Sequence, residues 1–360
     1  MVRSSRRLAT AFAAFSLSLV AACSAGSPKT VNDERSAAPT ATASNVGSVT
    51  TIAENLDVPW SIAFLPDGSA LVTERSEAKI VKIAPDHRVS TVMTVPGVVA
   101  QGEGGLLGLA VSPTYATDGL IYIYYTAADD NRIAKLKLGG TPQPIVTGIP
   151  KAIVHNGGRL GFGPDGFLYA STGDSTNRGL AQEKNSLAGK ILRMNTDGSP
   201  APGNPFGNLV YTYGHRNVQG FGWTANGDMY ATEFGQNTWD ELNRIEIGKN
   251  YGWPEVEGKS DDTKFTNPLL EWHTDEASCS GLGITGSTIV IGCLRGERLY
   301  VIDAHPDGSV GAPKAAFQGT YGRLRAVTPA PDGTIWFSTS NRDGRGTPKS
   351  GDDKILAFRP

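Results

Sequence analysis

From about residue 47 to the C-terminus, short apolar runs alternate with polar turns in a unit of about fifty residues. Each unit reads as an apolar strand, a tight turn, and a second strand that ends in small polar residues. The turns fall at Asp67-Gly68, Asp118-Gly119, Asp165-Gly166, Asn226-Gly227 and Asp332-Gly333, with a weaker copy at Gly286-Ser287. Asp-Gly and Asn-Gly favour type I′ hairpins, whose two central residues need positive φ. Further strands are predicted over 79–83, 132–138, 190–194, 241–247, 298–302 and 354–358. Six such four-stranded units, set radially, make an all-β six-bladed propeller; two stacked sandwiches are the competing arrangement.

Composition agrees with this reading. The 360 residues include 44 Gly and 22 Pro, and no long apolar run has a helical period. With 19% charged residues and a formal net charge of −2, the chain carries no electrostatic footprint for nucleic acid.

The N-terminus falls outside the repeats. Arg3, Arg6 and Arg7 precede an apolar stretch over 8–22 that is too short to span a bilayer, so residues 1–22 read as an export signal. The run Leu19-Val20-Ala21-Ala22-Cys23 is similar to a bacterial lipobox, in which the Cys is acylated. An ordinary signal cut near Ala22 is the alternative. Residues 23–46 are rich in Ser, Ala, Thr and Pro and read as a flexible tether. The expected product is a 47–360 propeller, exported and lipid-anchored to the outer face of the cell membrane. In an oxidising compartment Cys279 and Cys293 form a plausible disulfide across neighbouring strands.

The repeat also predicts where chemistry gathers. In a blade the first strand lines the channel and the second runs antiparallel to it, so residues before the first and after the second share one edge of the disc. Those positions hold Trp60, Glu103, His155, Arg216-Asn217, Gln219, Arg323 and Arg325 on one side of the turn. On the other they hold Glu74-Arg75, Thr172-Gly173-Asp174, Glu233-Phe234-Gly235, Leu294-Arg295 and Asn341-Arg342. Clustered guanidinium groups suit a ligand with several carboxylates. A His beside them is a natural general base, and Glu103 and Asp174 are placed to orient hydroxyl groups of a substrate.

A set of ordered segments carries a resemblance. They are Gly104-Gly105-Leu106-Leu107-Gly108, the stretch from His155 to Arg159-Leu160, Pro164-Asp165-Gly166, Gly189-Lys190-Ile191-Leu192-Arg193, and Asn195-Thr196-Asp197-Gly198. Asn204-Pro205-Phe206, Gly214-His215-Arg216-Asn217 and Asn250-Tyr251-Gly252-Trp253-Pro254 complete it. Together they resemble the PQQ-dependent soluble aldose sugar dehydrogenases, the glucose/sorbosone dehydrogenase family. The resemblance implies hydride transfer from the C1 hydroxyl of an aldose to pyrroloquinoline quinone, giving a lactone, with an electron acceptor that the sequence does not identify. It implies His155 as general base and Arg216 beside the quinone carbonyl. Asn217, Gln219, Arg323 and Arg325 would bind PQQ, and Glu103 and Asp174 would stand on the substrate side. It further implies Ca²⁺ on the backbone carbonyls of Gly235 and Gln236, and a second Ca²⁺ at Glu241 and Tyr251. Two departures stand out: Leu294 occupies a position where the family commonly has a Lys, with Arg295 next to it, and Val154 replaces a carboxylate that some members carry. A cofactor-free propeller acting as a ligand-binding or envelope-interaction module is therefore the alternative function, and a calcium-dependent lactonase is a third.

Overall fold

The computed structural model describes Thr42–Ala43 and residues 47–360. The signal at 1–22 and Cys23 lie outside the described residues. Six sheets follow one another around the ring, each with four antiparallel strands, and one of them gains a short fifth strand. Blade 1 comprises Pro59–Phe64, Ala70–Glu74, Lys79–Ile83 and Val89–Thr94. Blade 2 comprises Leu106–Val111, Leu120–Thr126, Asn131–Lys137 and Gln143–Ile149; blade 3, Leu160–Phe162, Leu168–Ser171, Lys190–Met194 and Val210–Tyr213. Blade 4 comprises Val218–Trp223, Met229–Glu233, Trp239–Ile245 and Leu270–His273; blade 5, Cys279–Thr285, Thr288–Cys293, Arg298–Asp303 and Lys314–Ala316. In blade 6, Leu324–Pro329, Ile335–Thr339 and Ile355–Phe358 are joined by Thr50–Ala53 from the start of the domain. That pairing ties the two ends of the ring together. Thr42–Ala43, which the sequence places in the tether, adds a short parallel strand beside Lys314–Ala316.

The hairpin turns differ from the type I′ expectation. At Asp67-Gly68 and its copies positive φ is confined to the glycine, for example 80° at Gly68 and 91° at Asn226's neighbour Gly227. The aspartate instead uses its side chain: Asp67 Oδ1 accepts the Ser69 amide at 2.9 Å, and Asp332 Oδ1 accepts the Thr334 amide at 2.9 Å. An Asx-type bond of this kind supports the turn without a left-handed aspartate.

Packing explains the ring. Among the described residues, each of the six buried apolar clusters lies between two neighbouring blades. Ile121, Ile123 and Ala134 of blade 2 meet Leu71 and Ile80 of blade 1, for instance, and Tyr230 and Leu242 of blade 4 meet Ile289 and Ile291 of blade 5. No blade buries its faces alone, so the architecture is stable only as a closed set. The Cys279–Cys293 disulfide joins directly paired residues of the first and second strands of blade 5.

Candidate active site

The inner strands leave a cavity at each end of the channel. The one at the edge predicted from the repeat measures about 470 Å³. Its charged lining is five arginines (216, 295, 323, 325 and 345) against Glu103 and Asp240. That imbalance makes it an anion site.

His155 stands in its wall with both ring nitrogens engaged. Nδ1 lies 2.8 Å from Asp174 Oδ1, and Nε2 lies 2.9 Å from Nη2 of Arg216. A guanidinium has no acceptor, so Arg216 must donate and Nε2 must accept. The ring proton therefore sits on Nδ1 and is given to Asp174. This leaves a neutral imidazole with its lone pair turned toward the cavity side, held by an orienting carboxylate.

The surroundings enforce that arrangement. Asp174 is fully buried, and its Oδ2 accepts the indole N–H of Trp253 at 2.8 Å. Burial raises its carboxyl, but the bond and charge of His155, the Thr176 amide and Trp253 outweigh this and hold it below the ordinary Asp value. The His155 backbone adopts φ 60°, a left-handed conformation unusual for a side-chain-bearing residue, and its amide is fixed on Glu103 Oε2 at 2.9 Å. Gly173 is required here, because a Cβ on it would run into the His155 carbonyl. Glu103 Oε1 in turn accepts from Arg345 at 2.9 Å.

Arg216 also donates to the Phe234 carbonyl at 3.1 Å and to Gln236 Oε1 at 3.0 Å, and lies over the Trp253 ring at 5.6 Å. Across the cavity, Arg323 and Arg325 share a single oxygen of Asp343, at 3.0 and 3.1 Å. Two cations on one carboxylate leave positive charge unspent. Arg325 also donates to Gln219 Oε1 at 3.2 Å, and burial, then the nearby Arg75 charge, push its guanidinium down to about 10. Asp343 is raised by burial but more strongly lowered by the Arg325 and Arg323 charges, and it stays below the usual range.

A second polar cluster lies behind Arg216. Glu241, Glu233 and Glu257 line a small void with Gly235 and Tyr251. Glu241 is pushed up to about 8 by burial and by the Glu233 charge, and the buried Asn243 Oδ1 beside it has no partner among the described residues. The carboxylates already accept protein donors, Glu257 Oε1 from four amides, Glu233 from His215 and the Arg216 amide, and Glu241 from Asn243 and the Gly258 amide, which leaves Asn243 Oδ1 as the unpartnered oxygen. Gly235 and Gln236 send their amides to Asp240 and Glu257 at 2.8 Å each, and no hydrogen bond reaches their carbonyls among the described residues.

The model of the glucose/sorbosone dehydrogenase family matches residues 56–348. The chain belongs to that family. It is 50% identical to the PQQ-bound aldose sugar dehydrogenase of Streptomyces coelicolor, whose structure it matches with a TM-score of 0.84 over 89% of this chain and 99% of that one. It is 35% identical to quinoprotein glucose dehydrogenase B of Acinetobacter calcoaceticus over 59% of this chain, a match that spans only 54% of that protein's length. An aldose sugar dehydrogenase of Escherichia coli is 26% identical over 82% of this chain and 91% of its own.

The residues expected at the mouth converge in part: Trp60, Glu74, Arg75, Thr172, Gly173, Glu233, Asn341 and Arg342 do not line the cavity, Glu74 and Arg342 bordering a separate pocket and Trp60 packing under Arg159. Glu103, His155, Arg216, Asn217, Gln219, Gly235, Gln236, Arg295, Arg323 and Arg325 all line the cavity. Asp174 does not: it is sealed behind His155, so it orients the imidazole and does not face a substrate hydroxyl. Leu294 and Arg295 both line it, the first buried and the second exposed. His215 is structural, clamped between Thr212 Oγ1 and Glu233 at 2.8 Å each and stacked on Tyr251. Asp343, Arg345, Asp240 and the role of Trp253 escaped sequence reading. Asp343 was reachable in principle, two residues beyond Asn341 on the same loop.

Proposed function

We propose that this protein oxidises the C1 hydroxyl of an aldose to the lactone with PQQ as hydride acceptor, assisted by Ca²⁺. The observation that carries the reading is the imidazole of His155, unprotonated at Nε2 and set between Asp174 and Arg216 in an arginine-lined cavity. PQQ, when bound, supplies the electrophilic carbon that takes the hydride, and its carboxylates fit Arg323, Arg325 and Arg295, with Asn217 and Gln219 beside them. The lone pair of Nε2 is engaged by Arg216, so the substrate hydroxyl must take that place before His155 can receive its proton. The displaced Arg216 donor would then be free to stabilise negative charge developing on the hydride-accepting group. Asp174 stabilises the imidazolium so formed. Ca²⁺ fits the free carbonyls of Gly235 and Gln236, and a second ion fits Glu241, the Tyr251 carbonyl and Asn243 Oδ1.

The test is a titration of the protein with PQQ and Ca²⁺, followed by cofactor absorbance, and then a panel of aldoses with a dye acceptor. Stoichiometric binding and sugar-dependent dye reduction, both lost on chelation, are expected. Failure to bind at micromolar PQQ refutes the reading and leaves the propeller as a ligand-binding module, the role that Leu294 favours. The physiological electron acceptor is a separate partner. We also propose export and acylation at Cys23, which the Cys279–Cys293 disulfide supports because such bonds persist in oxidising compartments. Loss of membrane association in Cys23→Ser checks it.

A further inference from the structure

The second cavity opens at the other end of the channel and measures about 630 Å³. Its walls are mostly apolar, built by residues such as Phe64, Phe162, Trp223, Ile284 and Val327, and among the described residues Arg159 is the only charged side chain that lines it. Arg159 is 6% exposed. Its Nε donates to the Gln219 carbonyl at 3.0 Å, its Nη1 to Ser61 Oγ at 3.2 Å, and its guanidinium lies over the Trp60 ring at 4.5 Å. The remaining nitrogen, Nη2, is buried with no partner among the described residues.

No carboxylate balances this cation. Burial pushes its pKa down to about 9, and the charge of Arg325 acts in the same direction. Buried charges are ordinarily paired, since an isolated one keeps its full desolvation cost. An apolar cavity with one convergent polar group is also the usual form of a small-ligand site. We infer that the channel end opposite the catalytic cavity binds a monoanion with an apolar body, an aliphatic or aromatic monocarboxylate, whose charge pairs with Arg159. Because the Gln219 side chain and Arg325 belong to the other cavity, an anion here also relieves the repulsion felt by Arg325 from behind. The inference does not depend on which cofactor or sugar the first cavity takes.

Benzoate is the probe, and benzyl alcohol its neutral counterpart, each titrated against the thermal midpoint of the protein with PQQ present. At about ten times its Kd, benzoate raises the midpoint by about 3 °C, saturably, while benzyl alcohol does not. Arg159→Met removes the benzoate response. Crystals of the unsubstituted protein soaked in 4-bromobenzoate make the test independent of whether that variant folds: the bromine's anomalous density falls in the apolar cavity, with the carboxylate on Arg159. Density confined to the Arg323–Arg325 cavity overturns the proposal, as does equal stabilisation by benzyl alcohol or a response to chloride but not to benzoate.

Discussion

Replacing Asp174 by Asn isolates the charge that supports the base. The Oδ1 of the aspartate accepts both the His155 Nδ1 proton and the Thr176 amide, at 2.8 Å each, while Oδ2 accepts from Trp253. An Asn in this frame keeps its oxygen toward His155 and Thr176, because the reverse orientation sets its amide against two donors instead of one. The tautomer thus survives, but the imidazolium formed during turnover has lost its counter-charge. Unit charges about 4 Å apart attract by about 4 kcal/mol at an effective dielectric of about 20. The neutral hydrogen bond that remains returns about 1 kcal/mol. The net loss of about 3 kcal/mol corresponds to a fall in kcat of about 150-fold. Sugar KM and PQQ affinity stay near their original values, since the buried residue 174 touches neither. The assay is steady-state dye reduction by PQQ-loaded protein. A kcat within about threefold of the parent refutes the assignment of Asp174 as the orienting carboxylate.

Other consequences are as direct. His155→Ala abolishes turnover while PQQ binding, read by absorbance, persists; near-normal turnover removes His155 from the chemistry. Arg323→Ala with Arg325→Ala lowers PQQ affinity by about a hundredfold or more in a calorimetric titration, from two lost charge-assisted bonds of about 1.5–3 kcal/mol each. Lys190 is fully buried and donates to the Leu180, Ala181 and Ala188 carbonyls, so Lys190→Met removes three charge-assisted bonds, leaves the Ala188 carbonyl without another donor among the described residues, and destabilises the fold by about 3 kcal/mol in urea denaturation. Asp174 and Asp343 have folded values below their unfolded ones. Their contribution is therefore complete above the unfolded Asp range near pH 4 and is lost as pH falls through the folded values, which acid denaturation of Asp343→Asn against the parent measures.

Much of the fold was legible because two features of a blade are written locally. The inner and second strands are apolar on both faces, and the turn between them needs Gly, as the buried run Ala70–Glu74 after Gly68 shows. The outer strands were not legible. Val89–Thr94 has no buried residue and Gln143–Ile149 has only two, so neither carries a clean alternating pattern. The closing strand Thr50–Ala53 pairs with residues some three hundred positions away, and no local signal specifies that partner. The site divides in the same way. Residues at fixed places in the repeat, such as His155, Arg216 and Arg325, could be read from spacing. Trp253 reaches Asp174 from the neighbouring blade through one bond, which no local spacing announces, whereas Asp343 meets Arg323 and Arg325 within blade 6, from a loop whose path the sequence does not specify.

The missing lysine at Leu294 tests whether the cavity can still hold a tricarboxylate, and the charge balance says that it can. Leu294 lines the cavity with an apolar side chain, so the position contributes packing and no polar reach. Its neighbour Arg295 lines the cavity and forms no ion pair among the described residues. Arg323 and Arg325 already draw on Asp343, and Arg345 on Glu103, which leaves Arg295 as the lining cation with its donors unspent. A guanidinium supplies the charge of the absent ammonium but demands a planar, two-point partner where the ammonium accepts any direction. Arg295→Lys should therefore weaken PQQ binding even though it restores the family's residue type one position away, because the shorter ammonium loses the bidentate contact. Arg295→Ala should weaken it further, and Leu294→Lys should leave affinity unchanged or lower, since an added ammonium in this wall is repelled by Arg295 beside it. If Leu294→Lys instead tightens binding, the backbone at this loop presents residue 294 to the cofactor, and Arg295 is a bystander.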